Sequence, residues 1–256
     1  MQLGMDVRVA AAYKSNAQRI RVMSEAWARE NLHCPCCPSN TIEQCRNNRE
    51  AVDYTCNSCD SSFQLKSSRT DYGSRIVDGA FTAMMRAVAH GAAPNLLLLH
   101  YDSRRWEVRD LTLIPHFALT SSCIEKRTAL GPSARRAGWV GCNILLCNIP
   151  PDVRIPWVED GVAASPPEVR TKFRSVSSLA NVTPAERGWT LDTLKVVRTI
   201  GRQEFTLADV YGHVGELQAL HPSNRHVRDK IRQQLQILRD LGFLQFLGHG
   251  IYRTLK

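Results

Sequence analysis

The 256-residue chain has no apolar stretch long enough to cross a bilayer; runs such as Val9 to Tyr13 and Leu96 to Leu99 are far too short. Its start, Met1 to Asp6, lacks the charged-then-apolar layout of a secretory signal, so a soluble protein of the cytosol or nucleoid is expected. Several catalytic signatures are also missing. There is no Gly-rich phosphate loop, no nucleophile elbow and no pair of histidines at helical spacing, which argues against a metabolic enzyme. No long heptad seam, internal repeat or low-complexity segment appears. Acidic residues are outnumbered: 24 Asp and Glu stand against 33 Lys and Arg, a formal net charge of +9. That balance favours an anionic partner, with nucleic acid the first candidate.

Nine cysteines are the chief feature that is present. In a chain without a secretory signal they suggest metal binding before disulfides. Cys34 and Cys37 form one C-x-x-C pair and Cys56 and Cys59 another, separated by 18 residues. Four thiolates so spaced suit tetrahedral Zn²⁺, and a closed four-sulfur shell leaves no open position, so its role is structural. Cys36 competes with Cys37 as a ligand. Cys45, Cys123, Cys142 and Cys147 have no such pairing and read as packing residues.

Helical spacing of Ile20, Met23 and Trp27 predicts a helix from about Asp6 to Asn31. Residues Cys34 to Asn48 read as irregular. Ala51 to Thr55 and Ser61 to Lys66 read as two strands of a hairpin whose turn carries Cys56 and Cys59. Asp78 to Ala89 reads as a helix capped by Asp78. Strands follow at Asn95 to Tyr101, Trp106 to Leu113 and Cys142 to Ile149, so the order of elements suggests an α/β core. Ser165 to Pro184, with three prolines and several serines, reads as a linker. Beyond it, Thr190 is expected to cap a helix to Ile200, Thr206 a helix to Leu220 (with Gly212 and Gly215 inside it), and Asn224 a third to about Leu241. A hairpin turning at Gly248-His249-Gly250 closes the set. Three helices and a hairpin make a winged helix, whose third helix, through Arg225, Arg228 and Arg232, is expected to meet DNA in the major groove.

Asp53 lies on the first strand of the cysteine hairpin and Gln64 and Lys66 on the second, where alternation puts Gln64 and Lys66 on one face. This is the D-x(n)-(E/Q)-x-K pattern of a Mg²⁺-dependent nuclease. The carboxylate and Gln64 are ligands for catalytic magnesium, and the lysine steadies the attacking water and offsets developing charge. The pattern alone is common; the zinc staple on the same hairpin and the DNA-reading module give it weight. Glu25, on the first helix, is a possible extra carboxylate, but its position reads first as a solvated helix face. Two rival readings stand beside this one: a zinc and winged-helix DNA-binding regulator without catalysis, and a nuclease of different specificity.

The segments AYKSNAQR (residues 12–19), ARRAGWVGCNI (134–144), RGWT (187–190) and KIRQQLQILRD (230–240), with the paired cysteines around Asp53, resemble the DpnI-like, dam-replacing family of restriction endonucleases. The resemblance runs over nearly the whole chain in the same order. It implies a PD-(D/E)XK endonuclease domain with an embedded four-cysteine zinc site at residues 1–182, joined to a winged-helix DNA-binding domain at 183–256. It places the catalytic residues on Asp53, Gln64 and Lys66 and the methyl-reading tryptophan on Trp139, with Arg135 and Arg136 beside it as phosphate contacts. The implied substrate is double-stranded DNA cut at GATC when the adenine is N6-methylated. The family carries glutamate where this chain has Gln64, so weaker metal binding is expected here.

Overall fold

The computed structural model describes residues 1–45 and 52–255. Ala51, the expected start of the first hairpin strand, and residues 46–48 of the expected irregular stretch lie outside the described residues. In chain order the first elements are α1 (Asn16–Asn31), β1 (Glu43–Gln44), β2 (Tyr54–Thr55), β3 (Ser62–Ser68), β4 (Arg75–Ala80) and α2 (Phe81–Ala89). Next come β5 (Asn95–Asp102), β6 (Glu107–Ile114), β7 (Ile124–Lys126), β8 (Gly141–Leu145), β9 (Ile155–Glu159) and β10 (Val162–Ala163). The C-terminal part comprises α3 (Pro166–Val176), α4 (Pro184–Ile200), β11 (Glu204–Thr206), α5 (Leu207–Tyr211), α6 (Val214–Leu220), α7 (Val227–Asp240), β12 (Leu244–Gly248) and β13 (Ile251–Thr254).

These elements form two compact units, each discontinuous in sequence. The first takes residues 1–73, 92–116 and 154–177; the second takes 74–91, 117–153 and 178–256.

The first unit is a seven-stranded sheet in the order β1-β2-β3-β5-β6-β9-β10. Its middle strand β5 holds Leu96 to Leu99, all at most 4% exposed, because a strand covered on both faces needs an unbroken apolar run. β3 pairs with β5 in parallel, with Gln64 opposite Leu96 and Lys66 opposite Leu98; every other pair in the sheet is antiparallel. Two readings of the sequence are corrected here. The expected helix from Asp6 is broken: Val7–Ala10 is a separate 3-10 turn whose amide at Arg8 donates to the Asp6 carboxylate, and α1 begins only at Asn16. The expected linker from Ser165 contains α3. Pro166 and Pro167 occupy the first helical turn, where no amide hydrogen is required, and the Glu168 carboxylate accepts from the Ser165 amide at 2.7 Å. Val169, Phe173 and Val176 are its buried face.

In the second unit β4, β8 and β7 form a three-stranded antiparallel sheet. The expected helix at Asp78 begins later, because Arg75 to Gly79 alternates buried and exposed with period two, buries Asp78 and Ile76, and pairs with β8. α2 starts at Phe81. The strand expected to run to Ile149 ends at Leu145 in a 3-10 turn.

The four helices α4 to α7, with the sheet β11-β13-β12, give a winged-helix order in which α5 and α6 together take the place of the second helix, ahead of the closing hairpin. α4 starts at Pro184 behind Thr183, seven residues before the expected start at Leu191, and Gly201 ends it at φ +69°, a conformation that favours glycine. Thr190 is therefore inside the helix. Its hydroxyl donates to Gln234 Oε1 at 2.7 Å, Gln234 Nε2 donates to Glu186 Oε1 at 3.2 Å, and Lys230 Nζ donates to the same oxygen at 2.8 Å. This satisfied polar network ties α4 to α7 where a wholly apolar seam would hold register less tightly. The helix expected over 207–220 is two helices, separated at Gly212 and His213, and Thr206 caps the first as expected. Asn224 does not cap α7 directly. Its Oδ1 accepts from the His226 amide at 2.7 Å, and α7 begins one residue later.

Candidate metal cluster, carboxylate pair and basic helix

Cys34, Cys37, Cys56 and Cys59 come together with their sulfurs all within 4.8 Å of one another. The closest pairs, Cys34 with Cys59 and Cys37 with Cys56, are 3.6 and 3.5 Å apart. A tetrahedron with metal–sulfur bonds of about 2.3 Å has edges of roughly 3.8 Å, so the donor set fits a four-coordinate ion. Burial works against ionising Cys56, but the Ser58 amide and then the Cys37 thiol outweigh it and bring Cys56 down to about 7. Local turns set the two knuckles: Cys34 N–H donates to Ser39 O at 3.1 Å and Cys56 N–H to Ser61 O at 2.9 Å.

The first knuckle has a brace that the sequence reading missed. Arg170 of α3 donates through Nε to Cys34 O at 3.1 Å and through Nη2 to Ser39 O at 2.7 Å. The same nitrogen lies within 3.2 Å of Pro38 O and Asn40 Oδ1. Nothing local to Arg170 in the sequence points to this contact, since its partners lie 130 or more residues earlier.

The same hairpin carries Asp53, Gln64 and Lys66. Asp53 sits just before β2; its amide donates to Phe63 O at 2.9 Å and its Oδ2 accepts from the Leu65 amide at 2.7 Å. The carboxylate is thus aimed at the segment of β3 between Gln64 and Lys66. Gln64 is 8% exposed and Lys66 is half-buried, on one face of β3 as their spacing predicts.

Glu25 joins this group. Its side chain is only 16% exposed, which overturns the expectation of a solvated helix carboxylate. Arg21 Nε donates to Glu25 Oε1 at 2.7 Å and Gln44 Nε2 to Oε2 at 3.0 Å. The buried Tyr54 hydroxyl donates to Glu25 O at 2.7 Å and so pins α1 to the hairpin. Burial pushes the Asp53 carboxyl above its ordinary value; the Leu65 amide opposes that, Glu25 adds to it, and Lys66 and Arg21 pull the other way. Asp53 and Glu25 are thus two half-buried carboxylates whose charges disfavour one another.

The second unit holds the remaining expected residues. Arg135 and Arg136 are exposed, in a loop closed by Leu130 N–H to Trp139 O at 2.9 Å and Gly138 N–H to Leu130 O at 2.9 Å. Trp139 is half-exposed and not a core residue. The Arg136 guanidinium lies over its ring at 4.5 Å. Gly141 accommodates the indole, since a Cβ there would meet Trp139 Cζ3 and Cη2 at 2.8 Å. On α7, Val227, Ile231, Leu235 and Leu238 are buried, while Arg228 and Arg232 are exposed, as is Arg225 just ahead of it.

The exposed arginines of α7, the short wing that follows it and the four-cysteine cluster of the α/β unit define a helix-turn-helix protein that binds DNA. The chain belongs to the Dam-replacing family, DpnI, whose model matches residues 1–182, and the Dam-replacing HTH domain matches residues 185–254. Among the described residues no helix is long and apolar enough to cross a membrane.

Proposed function

We propose that the protein is a Mg²⁺-dependent, site-specific endonuclease of double-stranded DNA that cuts at GATC carrying N6-methyladenine, with Zn²⁺ in the four-cysteine cluster. Functionally, residues 1–182 make the cutting domain and 183–256 the winged-helix reader, in a protein of the cytosol or nucleoid. The observation that carries this reading is the half-buried Asp53 on the cysteine hairpin, its carboxylate bonded to the Leu65 amide between Gln64 and Lys66.

Asp53 and the Gln64 amide oxygen would hold the magnesium, with Glu25 restoring the negative charge that Gln64 lacks. A bound Mg²⁺ supplies Lewis-acid stabilisation of the phosphate oxygens. Lys66 supplies a positive charge beside the water that attacks phosphorus and holds that water in place. Arg21 and Gln44 fix the Glu25 carboxylate by one hydrogen bond each. Incubation with methylated plasmid and Mg²⁺, Mn²⁺ or Ca²⁺ tests this: cutting with the first two and none with Ca²⁺ is expected, and cutting without any divalent ion would sink it. Glu25→Gln is expected to weaken Mn²⁺ binding about tenfold, on the order of 1.4 kcal/mol, measured by calorimetry with no DNA present. Unchanged Mn²⁺ affinity would remove Glu25 from the metal site.

A methyl group on adenine N6 places apolar surface in the major groove, where an aromatic ring can cover it. Trp139, half-exposed beside Arg135 and Arg136, has the composition for that contact. Trp139→Ala is expected to reduce the preference for methylated over plain GATC duplexes at least tenfold, on the order of 1–3 kcal/mol. Gly141→Ala should do the same in smaller measure, because its methyl group displaces the indole. Ratios unchanged in both variants would end the reading role of Trp139.

The neutral Gln64 favours one alternative, a methyl-DNA reader that binds and does not cut. Cleavage of methylated DNA by the purified protein excludes it.

A further inference from the structure

The exposed arginines of α7 do not stand alone. Tyr211, the last residue of α5, projects between them. Its Oη accepts from Arg232 Nε at 2.6 Å, and its ring lies 5.3 Å from the Arg228 guanidinium and 5.8 Å from that of Arg232. Arg228 and Arg232 are one helical turn apart, where two like charges repel. The tyrosine offsets that repulsion by giving both cations the negative face of one ring. Its own position is fixed locally. Val210 beside it is fully buried, and the helix start is locked by Asp209 Oδ2, which accepts from the Thr206 amide at 2.7 Å and hydroxyl at 2.8 Å.

Stability does not account for this arrangement. Cation–π contacts and ion pairs at exposed positions contribute little. An acidic neighbour, Asp229, reaches Arg232 Nη1 only at 3.6 Å, with both side chains more than half exposed. What the arrangement does is restrict a long side chain in the free protein. A guanidinium has two bidentate edges, one made by Nε with one Nη and the other by the two Nη groups. Tyr211 occupies Nε, so only the terminal edge of Arg232 remains to meet a ligand. The phenolic hydrogen, which the Arg232 bond does not use, is a further donor beside it.

We propose that Tyr211 is a positioning residue for DNA recognition: it holds Arg232 so that its two terminal Nη groups face a pair of adjacent DNA acceptors, with Arg228 held alongside. The acceptor pair is either the O6 and N7 of guanine or two oxygens of a backbone phosphate. Holding the side chain before binding removes rotamer freedom that association would otherwise have to remove. The proposal rests on the reading of this chain as a GATC-directed DNA-binding protein.

The test is a double-mutant cycle on the full-length, zinc-loaded protein. Binding to a methylated GATC duplex is measured with Ca²⁺ in place of Mg²⁺, over a range of salt. Tyr211→Phe, which keeps the ring and loses the acceptor, is expected to weaken binding about tenfold with an unchanged melting temperature. In an Arg232→Ala background the same change should cost nothing further, a result that a merely structural tyrosine would not give. A duplex with 7-deazaguanine in the GATC site separates the two acceptors. Loss of the Tyr211→Phe penalty on that duplex assigns guanine. A retained penalty, with the slope of log K against log salt reduced by about 0.9, assigns phosphate. Equal weakening in both backgrounds, or none in either, overturns the proposal. Wild-type protein that binds GATC and shuffled duplexes alike would instead overturn the GATC reading, while Tyr211 and Arg232 would still couple on the phosphate arm.

Discussion

Stripping the metal from the four-cysteine cluster should unfold the hairpin that carries Asp53, Gln64 and Lys66, with loss of the cooperative melting transition of the first unit. The cluster ties Cys34 and Cys37, which follow α1, to Cys56 and Cys59 in the turn between β2 and β3. The strands it joins are short: β1 and β2 have two residues each. So few ladder hydrogen bonds cannot hold a turn in one geometry. Structural zinc in small sites contributes on the order of 10 kcal/mol or more, which rivals the whole stability of an ordinary domain, about 5–15 kcal/mol. Cys56→Ser should act like chelation, because a three-sulfur site with an open position binds zinc more weakly. The readouts are zinc release to a colorimetric chelator and the melting curve, neither of which depends on the magnesium site. A full complement of zinc released with an unshifted melt would show that the cluster staples nothing. Absence of bound zinc in freshly purified protein would rule out the assignment of the metal.

Lys66→Ala should abolish cleavage, by about 10²- to 10⁴-fold, and leave binding to methylated DNA within about twofold of wild type. Lys66 lies on β3 opposite Leu98 and next to the Asp53 carboxylate in the electrostatic sense: its charge is one of those that hold the Asp53 carboxyl down against burial and Glu25. Removing it costs a single positive charge among the 33 lysines and arginines of the chain, too little to change bulk DNA affinity. On the proposed mechanism it does remove the cation beside the attacking water. Single-turnover cleavage with gel-shift binding in parallel makes the distinction. Loss of both activities together would mean that Lys66 supports the fold of β3 and not the reaction.

The sequence showed the parts of this site whose signals are local. The two C-x-x-C pairs, the alternation of Gln64 and Lys66 and the amphipathic α7 are visible in spacing alone, because each depends on neighbours within a few residues. What it hid depends on long-range packing. Thr190 resembles a helix cap in sequence, yet its partner is Gln234, 44 residues away. Glu25 looked solvated because nothing nearby shows that Tyr54 and Gln44 will enclose it. α3 was different, since its signal was present and misread. Prolines after a serine, followed by Glu168, mark a helix start as well as a linker, and the buried positions Val169, Phe173 and Val176 decide between them. Tyr211 carried no expectation either, because its partners come from α7, 17 and 21 residues on.

The central claim, a nuclease directed by adenine methylation, is tested most directly with two preparations of one plasmid that differ only in N6-methylation at GATC, each incubated with purified protein and Mg²⁺. Cutting of the methylated plasmid alone is expected. Cutting of both would retain the nuclease and contradict methyl direction; cutting of neither, with gel-shift binding intact, would contradict catalysis at a site containing Gln64.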